Sequence, residues 1–219
     1  MLKLSDRTPF SSGGNRLCFR HPEQAERCLK VLRADRTPAQ RRQAKGFPAN
    51  LRPLSFFDEN RVEREVLEHL HQQFPDAIRR HLPQTYGMVE TDLGDAHETT
   101  LMVDHDGRVS QTLEQYIWDH GLNEVATRSI AEFKQDWETQ PPKTRDLIPH
   151  NMVLQDLGDR QQIMLIDGLG RKPRMNAFGT ASNARYQRRV NDLDVRIQRI
   201  LHRKATNTGP TERLNNLIR

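Results

Sequence analysis

The chain has 219 residues, 35% of them hydrophobic and 29% charged, and its 34 Lys and Arg against 29 Asp and Glu leave a net charge of +5. A pI near 9.5 permits attraction to phosphates, nucleic acid or an anionic surface without singling out any of them. The length suits one core or two small lobes. No apolar run approaches the ~18 residues of a membrane span, and Met1-Leu2-Lys3-Leu4-Ser5-Asp6 lacks a signal-peptide core, so a cytoplasmic protein is expected. Cys18 and Cys28 have no His cluster beside them. They suggest neither a zinc site nor a disulfide framework, and two buried free thiols in a reducing cytoplasm are the simplest account.

In chain order, residues 9–32 read as three strands, with a turn at Ser11-Ser12-Gly13-Gly14-Asn15. The strand after it is Arg16-Leu17-Cys18-Phe19-Arg20, and the third is Arg27-Cys28-Leu29-Lys30-Val31-Leu32. A glycine turn between strands can lay backbone N–H groups over phosphates, although such pairs commonly do no more than reverse a hairpin. Residues 33–46 read as a basic, loop-like insertion carrying the single acid Asp35. It either meets an acidic partner or keeps a loop solvated, and charge runs more often do the second.

Residues 58–73 form an amphipathic helix ending before Pro75. At about 100° per residue, Val62, Val66, Leu67 and Leu70 make one stripe and Glu63 falls inside it, while Glu65 and Glu68 face water. A carboxylate on a buried stripe requires a cation. Lys30 is the natural partner, with Glu59 as the alternative to Glu63.

Two further strands are expected at Thr85-Tyr86-Gly87-Met88-Val89-Glu90-Thr91 and at residues 99–104, around a turn at residues 92–95. A polar connection, His105-Asp106-Gly107-Arg108, follows. Thr112 opens a short helix closed by Gly121, and Asn123 caps another that runs to Glu138 before Pro141-Pro142. Met152-Val153-Leu154-Gln155 and the apolar run Ile163-Met164-Leu165-Ile166 form a hairpin. Symmetry about Asp159 would set Asn151 opposite Asp167, within the ~4.5 to 5.5 Å of paired Cα atoms. Two hard oxygen ligands there, with Asp146 on the loop before them, suit a Mg²⁺ that keeps waters and shares phosphates. After Gly168 the chain is irregular until a helix from about Ser182 to Arg203, with an apolar stripe of Tyr186, Val190, Leu193, Ile197, Ile200 and Leu201 amid arginines. Residues 205–219 read as a flexible tail.

The run Thr144-Arg145-Asp146-Leu147-Ile148-Pro149-His150-Asn151, followed by Ile166-Asp167-Gly168, resembles the protein-kinase signature H-R-D-L-x-x-x-N followed by D-F-G. Leu29-Lys30-Val31 likewise resembles the strand motif V-A-I-K. Taken with the short chain, these features identify a resemblance to the YrbL family, bacterial proteins of protein-kinase-like fold named for the PhoP regulatory network. The resemblance implies an α+β, two-lobed fold. An antiparallel amino-terminal lobe with one helix would occupy residues 1–104, and a reduced, mainly helical carboxy-terminal lobe residues 105–204. It also implies roles. Lys30 and the Gly13-Gly14 turn hold ATP, Glu63 pairs with Lys30, and backbone groups at Met102, Val103 and Asp104 meet adenine. Asn151 and Asp167 hold Mg²⁺, and Asp146 accepts the proton of an attacking hydroxyl.

The chain departs from the signature at Thr144, where the motif has His, at Ile166, where it has Phe, and at Ile148, where protein kinases usually carry Lys. No A-P-E is present, and residues 169–219 are too few for all the helices that present a peptide. The first expectation is therefore an ATP- and Mg²⁺-dependent phosphotransferase acting on an unidentified hydroxyl. A nucleotide-sensing regulatory module, read by a partner through the arginine-rich helix, is the second. A basic nucleic-acid binder, supported by charge but by no recognition element, is the third.

Overall fold

The computed structural model describes residues 1–142, 144, 146–169 and 183–208. The described residues divide into two compact units, one of Met1–Glu68 with Gln84–Leu101, the other of His69–Pro83 with the described residues from Met102 on.

The first unit is a five-stranded antiparallel sheet ordered β1-β2-β3-β5-β4. Its strands are β1 (Ser11–Ser12), β2 (Arg16–Arg20), β3 (Arg27–Leu32), β4 (Thr85–Thr91) and β5 (Gly94–Thr100). Ser11 and Ser12, expected in the turn, are instead paired with Cys18 and Leu17. The turn is therefore confined to residues 13–15, closed by the Gly13 N–H donating to the Arg16 carbonyl at 2.8 Å. Leu4, Phe19, Leu29, Val31 and Ala96 form the core under one face.

Two further expectations are corrected in this unit. The strand placed at residues 99–104 runs from Gly94 to Thr100, because Thr91 pairs with Gly94 and only two residues make the turn. Leu101 and Met102, whose apolar character suggested a strand, lie beyond its end and are buried by other contacts. The basic insertion also contains a helix, α1 (Pro38–Gln43). Thr37 and Gln40 close a capping box around its start and Pro38 occupies the first turn, each a strong helix-initiating feature. Two 3₁₀ turns follow, Ala49–Leu51 and Leu54–Phe56, and none of the three short helices buries a side chain. Phe47 and Leu51 are 83% and 73% exposed. Arg41 anchors the segment by donating to the Phe57 carbonyl at 3.1 Å and to Glu59 at 2.7 Å. Arg52 stacks its guanidinium 4.1 Å from the Phe56 ring centre.

Helix α2 (Glu59–Gln73) follows the expected stripe, with Val66, Leu67 and Leu70 buried. On its wet side Glu65 and Glu68 meet Arg61 and Arg64 one turn earlier. Asn60 ties its first turn to the sheet, its Nδ2 donating to the Lys30 carbonyl at 2.8 Å and to the Asp95 carbonyl at 3.2 Å.

The second unit holds α3 (Asp76–Arg79), α4 (Leu113–His120), α5 (Glu124–Thr139), α6 (Asn183–Ala205) and the hairpin of β6 (Met152–Asp156) and β7 (Gln161–Leu165), with α4 packed on β6 and α5 on β7. Thr112 and Asn123 cap α4 and α5 as expected, and Gly121 ends α4 at φ 77°, the left-handed region that suits glycine. Phe133 and Trp137 stack with centres 4.7 Å apart, and the His81 ring meets Phe133 edge-on. Both nitrogens of His81 face acceptors, the Ile163 carbonyl at 2.6 Å and Asp136 at 2.8 Å. The ring thus clamps β7 to α5 while its own backbone carbonyl accepts from Leu165 N–H. Val190, Leu193, Ile197 and Ile200 bury the stripe of α6, which packs on α4 and α5. Tyr186, the irregular stretch at residues 170–182 and nearly all of the expected tail lie outside what is described. Among the described residues no helix is long and apolar enough to cross a membrane.

Candidate functional site

The first unit gathers three charges on one face of its sheet. Side chains of directly paired residues share a face, and so do residues two apart along a strand. Cys18 pairs with Lys30 and Lys30 with His97, so Arg16, Cys18, Cys28, Lys30 and His97 all lie on the same side. Glu63 enters from α2. Lys30 Nζ donates to its Oε1 at 2.5 Å, and Arg16 Nη1 donates to Oε2. All three residues are buried, where a charge is tolerated because it is paired. Glu59 does not take this role, since its carboxylate meets Arg41. Fully buried His97 stands beside the cluster, its Nε2 2.8 Å from Thr85 Oγ1 and its Nδ1 4.0 Å from Glu63. Burial above all, then the charges of Lys30, Arg16 and Arg64, press its pKa down to about 2. The imidazole is therefore neutral, and Glu63 is shared by two cations rather than three.

Arg16 was not among the expected site residues. Its signal was available: it opens the strand after the glycine turn and has the parity of Cys18, the residue opposite Lys30. Gly13 spends its N–H on closing that turn. Cys28 is buried as expected, whereas Cys18 is only half-buried. The Cys28 thiol is held well above its ordinary value by its hydrogen bond with Cys18 and then by burial, which makes it a poor nucleophile.

The second unit holds the other expected residues. The hairpin register differs by one from symmetry about Asp159: Met152 pairs with Leu165 and Leu154 with Ile163. The tip accounts for this, because Leu157 N–H bonds the Arg160 carbonyl at 2.8 Å, leaving the two residues Gly158 and Asp159 between them. A two-residue loop is symmetric about a bond, not about a residue. Asn151 thus lies across from Ile166, and its carbonyl accepts from both Ile166 N–H at 2.9 Å and Asp167 N–H at 3.3 Å. Asn151 Nδ2 donates to the Asp146 carbonyl at 2.8 Å, and Asp146 N–H donates to the Gly168 carbonyl at 3.1 Å. Asp167 Oδ1 accepts from Gly168 N–H at 2.6 Å. Gly168 has φ 83°, and a Cβ there would collide with the Asp146 carbonyl oxygen and the Asn151 amide. Asp146, Asn151, Asp167 and Gly168 are therefore knit into one unit, and the side chain of Asn151 is oriented by its donor bond.

Beside this knot, Thr144 bridges Leu169 and its carbonyl accepts from Arg189 of α6 at 2.6 Å. The side chain of Arg145 lies outside the described residues. Of the expected adenine contacts, the Met102 carbonyl accepts from Ser110 N–H at 3.0 Å and Asp104 N–H donates to Arg108 at 2.8 Å. The Val103 carbonyl accepts from Gln155 Nε2 at 2.8 Å. Among the described residues no group of three His, Cys, Asp or Glu is placed to hold a metal by itself. Asp167 and Asn151 carry oxygen donors of the chemical type that a hard cation takes.

A family profile described as "PhoP regulatory network protein YrbL" matches residues 2–202. The YrbL proteins of Escherichia coli (strain K12) and Shigella flexneri are each 25% identical over 177 residues, which is 78% of this chain and 74% of theirs. Among solved structures, a crystallised kinase domain superposes with TM-score 0.47 and 13% identity, covering 78% of this chain and 52% of that one. The PknI kinase domain of Mycobacterium tuberculosis gives TM-score 0.39 and 16% identity over 77% of this chain and 65% of its own. The chain thus spans about half the length of the first kinase domain and just under two thirds of the second.

Proposed function

The chain belongs to the YrbL family of PhoP regulatory network proteins, and within that family we propose that it is a protein-kinase-like phosphotransferase, dependent on ATP and Mg²⁺, acting on a hydroxyl acceptor. The observation that carries the reading is the buried Lys30–Glu63 pair, a strand lysine fixed by a helix carboxylate, in the arrangement that holds nucleotide phosphates in kinases. The knot of Asp146, Asn151, Asp167 and Gly168 supports it.

In this reading Lys30 neutralises the phosphates, the part of the glycine turn beyond the engaged Gly13 N–H orients them, and those backbone groups of Met102, Val103 and Asp104 not already spent on Ser110, Gln155 and Arg108 lie against the base. Asp167 and Asn151 hold the metal ion, which supplies charge neutralisation at the transferring phosphoryl group. Asp146 accepts the proton as the acceptor oxygen bonds to the γ-phosphorus and the bond to the β–γ bridging oxygen breaks, leaving ADP. The backbone bonds of Asp146 to Gly168 and to the Asn151 side chain fix where that base stands, so catalysis rests on positioning and electrostatics. The acceptor is a hydroxyl group on a protein or a small molecule.

A second reading, a nucleotide-sensing module read through α6, is favoured by the bond from Arg189 to the Thr144 carbonyl. It joins the arginine-rich helix to the segment just before Asp146. Labelled ATP, Mg²⁺ and a cell extract separate the two. Transfer of label by the wild type, reduced about 10²-fold or more in Asp146→Asn with nucleotide binding retained, is expected of the enzyme. Tight nucleotide binding by the wild type without transfer to any acceptor would sink the first reading in favour of the second.

A further inference from the structure

Glu63 has one negative charge and two cations within hydrogen-bond reach, Lys30 on Oε1 and Arg16 on Oε2. We infer that Arg16 is a positioning residue, the counter-charge that keeps Glu63 in place while Lys30 gives its own charge to an anionic ligand. The second half of that statement rests on the phosphotransferase reading above; the first half does not.

A buried carboxylate with a single counter-ion is left exposed to a large desolvation cost whenever that counter-ion turns to another anion. A guanidinium on the second oxygen removes the conflict. Arginine suits the task because it does not deprotonate in a buried site, whereas a lysine can. The neutral His97 ring next to the pair supplies no substitute positive charge, so the duty falls on Arg16. Its place in the chain adds a mechanical consequence. Arg16 supplies the carbonyl that closes the glycine turn, and Asn60, one turn before Glu63, is bonded to the carbonyl of Lys30. Turn, strand β3 and helix α2 are thus joined through one carboxylate, and a shift of the turn is felt by the helix.

The test has two arms. In thermal unfolding of the ligand-free protein, Arg16→Met and Lys30→Met singly should each lower Tm, since each leaves Glu63 one partner. Their combination should lower it by more than the sum, and adding Glu63→Gln to the double variant should recover most of that excess. Additive losses, or no recovery with Glu63→Gln, would overturn the assignment. Should the double variant fail to fold, Arg16→Lys decides: keeping the charge beside Glu63, it should retain most of the Tm that Arg16→Met loses, and equal losses from the two would overturn the assignment. In the second arm a non-hydrolysable ATP analogue with Mg²⁺ is titrated by calorimetry. Arg16→Met should raise Kd about tenfold, equivalent to about 1.4 kcal/mol, whereas Arg16→Lys, which keeps the charge, should stay close to wild type. Unchanged binding by Arg16→Met would overturn the ligand half of the proposal. A wild type that binds no nucleotide would instead refute the phosphotransferase reading and that ligand half together, leaving the hold of Arg16 on Glu63 to be judged by the unfolding arm.

Discussion

Lowering the pH from 7 to 5 should destabilise the folded protein through His97. The ring is fully buried, and its pKa in the folded chain is about 2, set by burial and then by Lys30, Arg16 and Arg64. An unfolded histidine titrates near pH 6.5. Between those values the unfolded chain binds a proton that the folded chain refuses. The stability contribution is therefore fully present above about pH 6.5 and is lost progressively as pH falls toward about 2. Over the interval from pH 7 to 5 the loss integrates to about 2 kcal/mol, a large share of the ~5 to 15 kcal/mol that stabilises a typical domain. Urea unfolding of the wild type and of His97→Gln at pH 7, 6 and 5 isolates the effect. The glutamine does not titrate, and the other histidines and carboxylates act equally in both proteins. The wild type should lose about 2 kcal/mol more than the variant across the interval. Parallel pH profiles would show that His97 takes up a proton as readily folded as unfolded, and the account of the ring as held neutral by burial and by its cationic neighbours would be wrong.

Two further predictions concern the knot in the second unit. Asp167→Asn should remove most Mg²⁺-dependent binding of a non-hydrolysable ATP analogue, whereas Asp159→Asn at the exposed hairpin tip changes net charge equally and should do little; equal losses would reduce the effect to general electrostatics. Gly168→Ala should lower Tm and abolish transfer even though position 168 carries no functional group, because its Cβ collides with the Asp146 carbonyl and its φ of 83° disfavours any side chain. An alanine variant with wild-type Tm and turnover would show that the close approach is not required.

Local patterns carried much of the fold into the sequence. The stripe of α2 was legible because Val66, Leu67 and Leu70 recur at helical spacing, and Glu63 was conspicuous as a charge inside it. Strand β5 was not legible, because the residues it buries include His97, Glu98 and Thr99, and their polar character is satisfied by partners far away in sequence, such as Thr85 and Arg27. The apolar residues at 101 and 102 drew the strand toward themselves. The hairpin of β6 and β7 was found, but its register turned on whether the tip held an even or odd number of residues, which composition does not reveal. Strand parity puts Arg16 on the face of Lys30, but a basic residue at the start of a strand is commonly a surface residue, and only the arrival of Glu63 from α2 gives it a buried partner.

The stretch between α1 and α2 buries no side chain in any of its short helices, and Arg41 fastens it at its far end to Phe57 and Glu59. In engineering terms it is a handle. A protease meeting Phe47 or Leu51 there would nick the chain among short helices that bury no side chain, and a fluorophore or affinity peptide grafted between Arg42 and Leu54 would enlarge a loop whose closure cost grows by only about 0.6 kcal/mol per doubling of length. Strand β3 before it and helix α2 after it would remain joined through Asn60 and Glu63, so the buried charge cluster could be reported on from a label that never touches it.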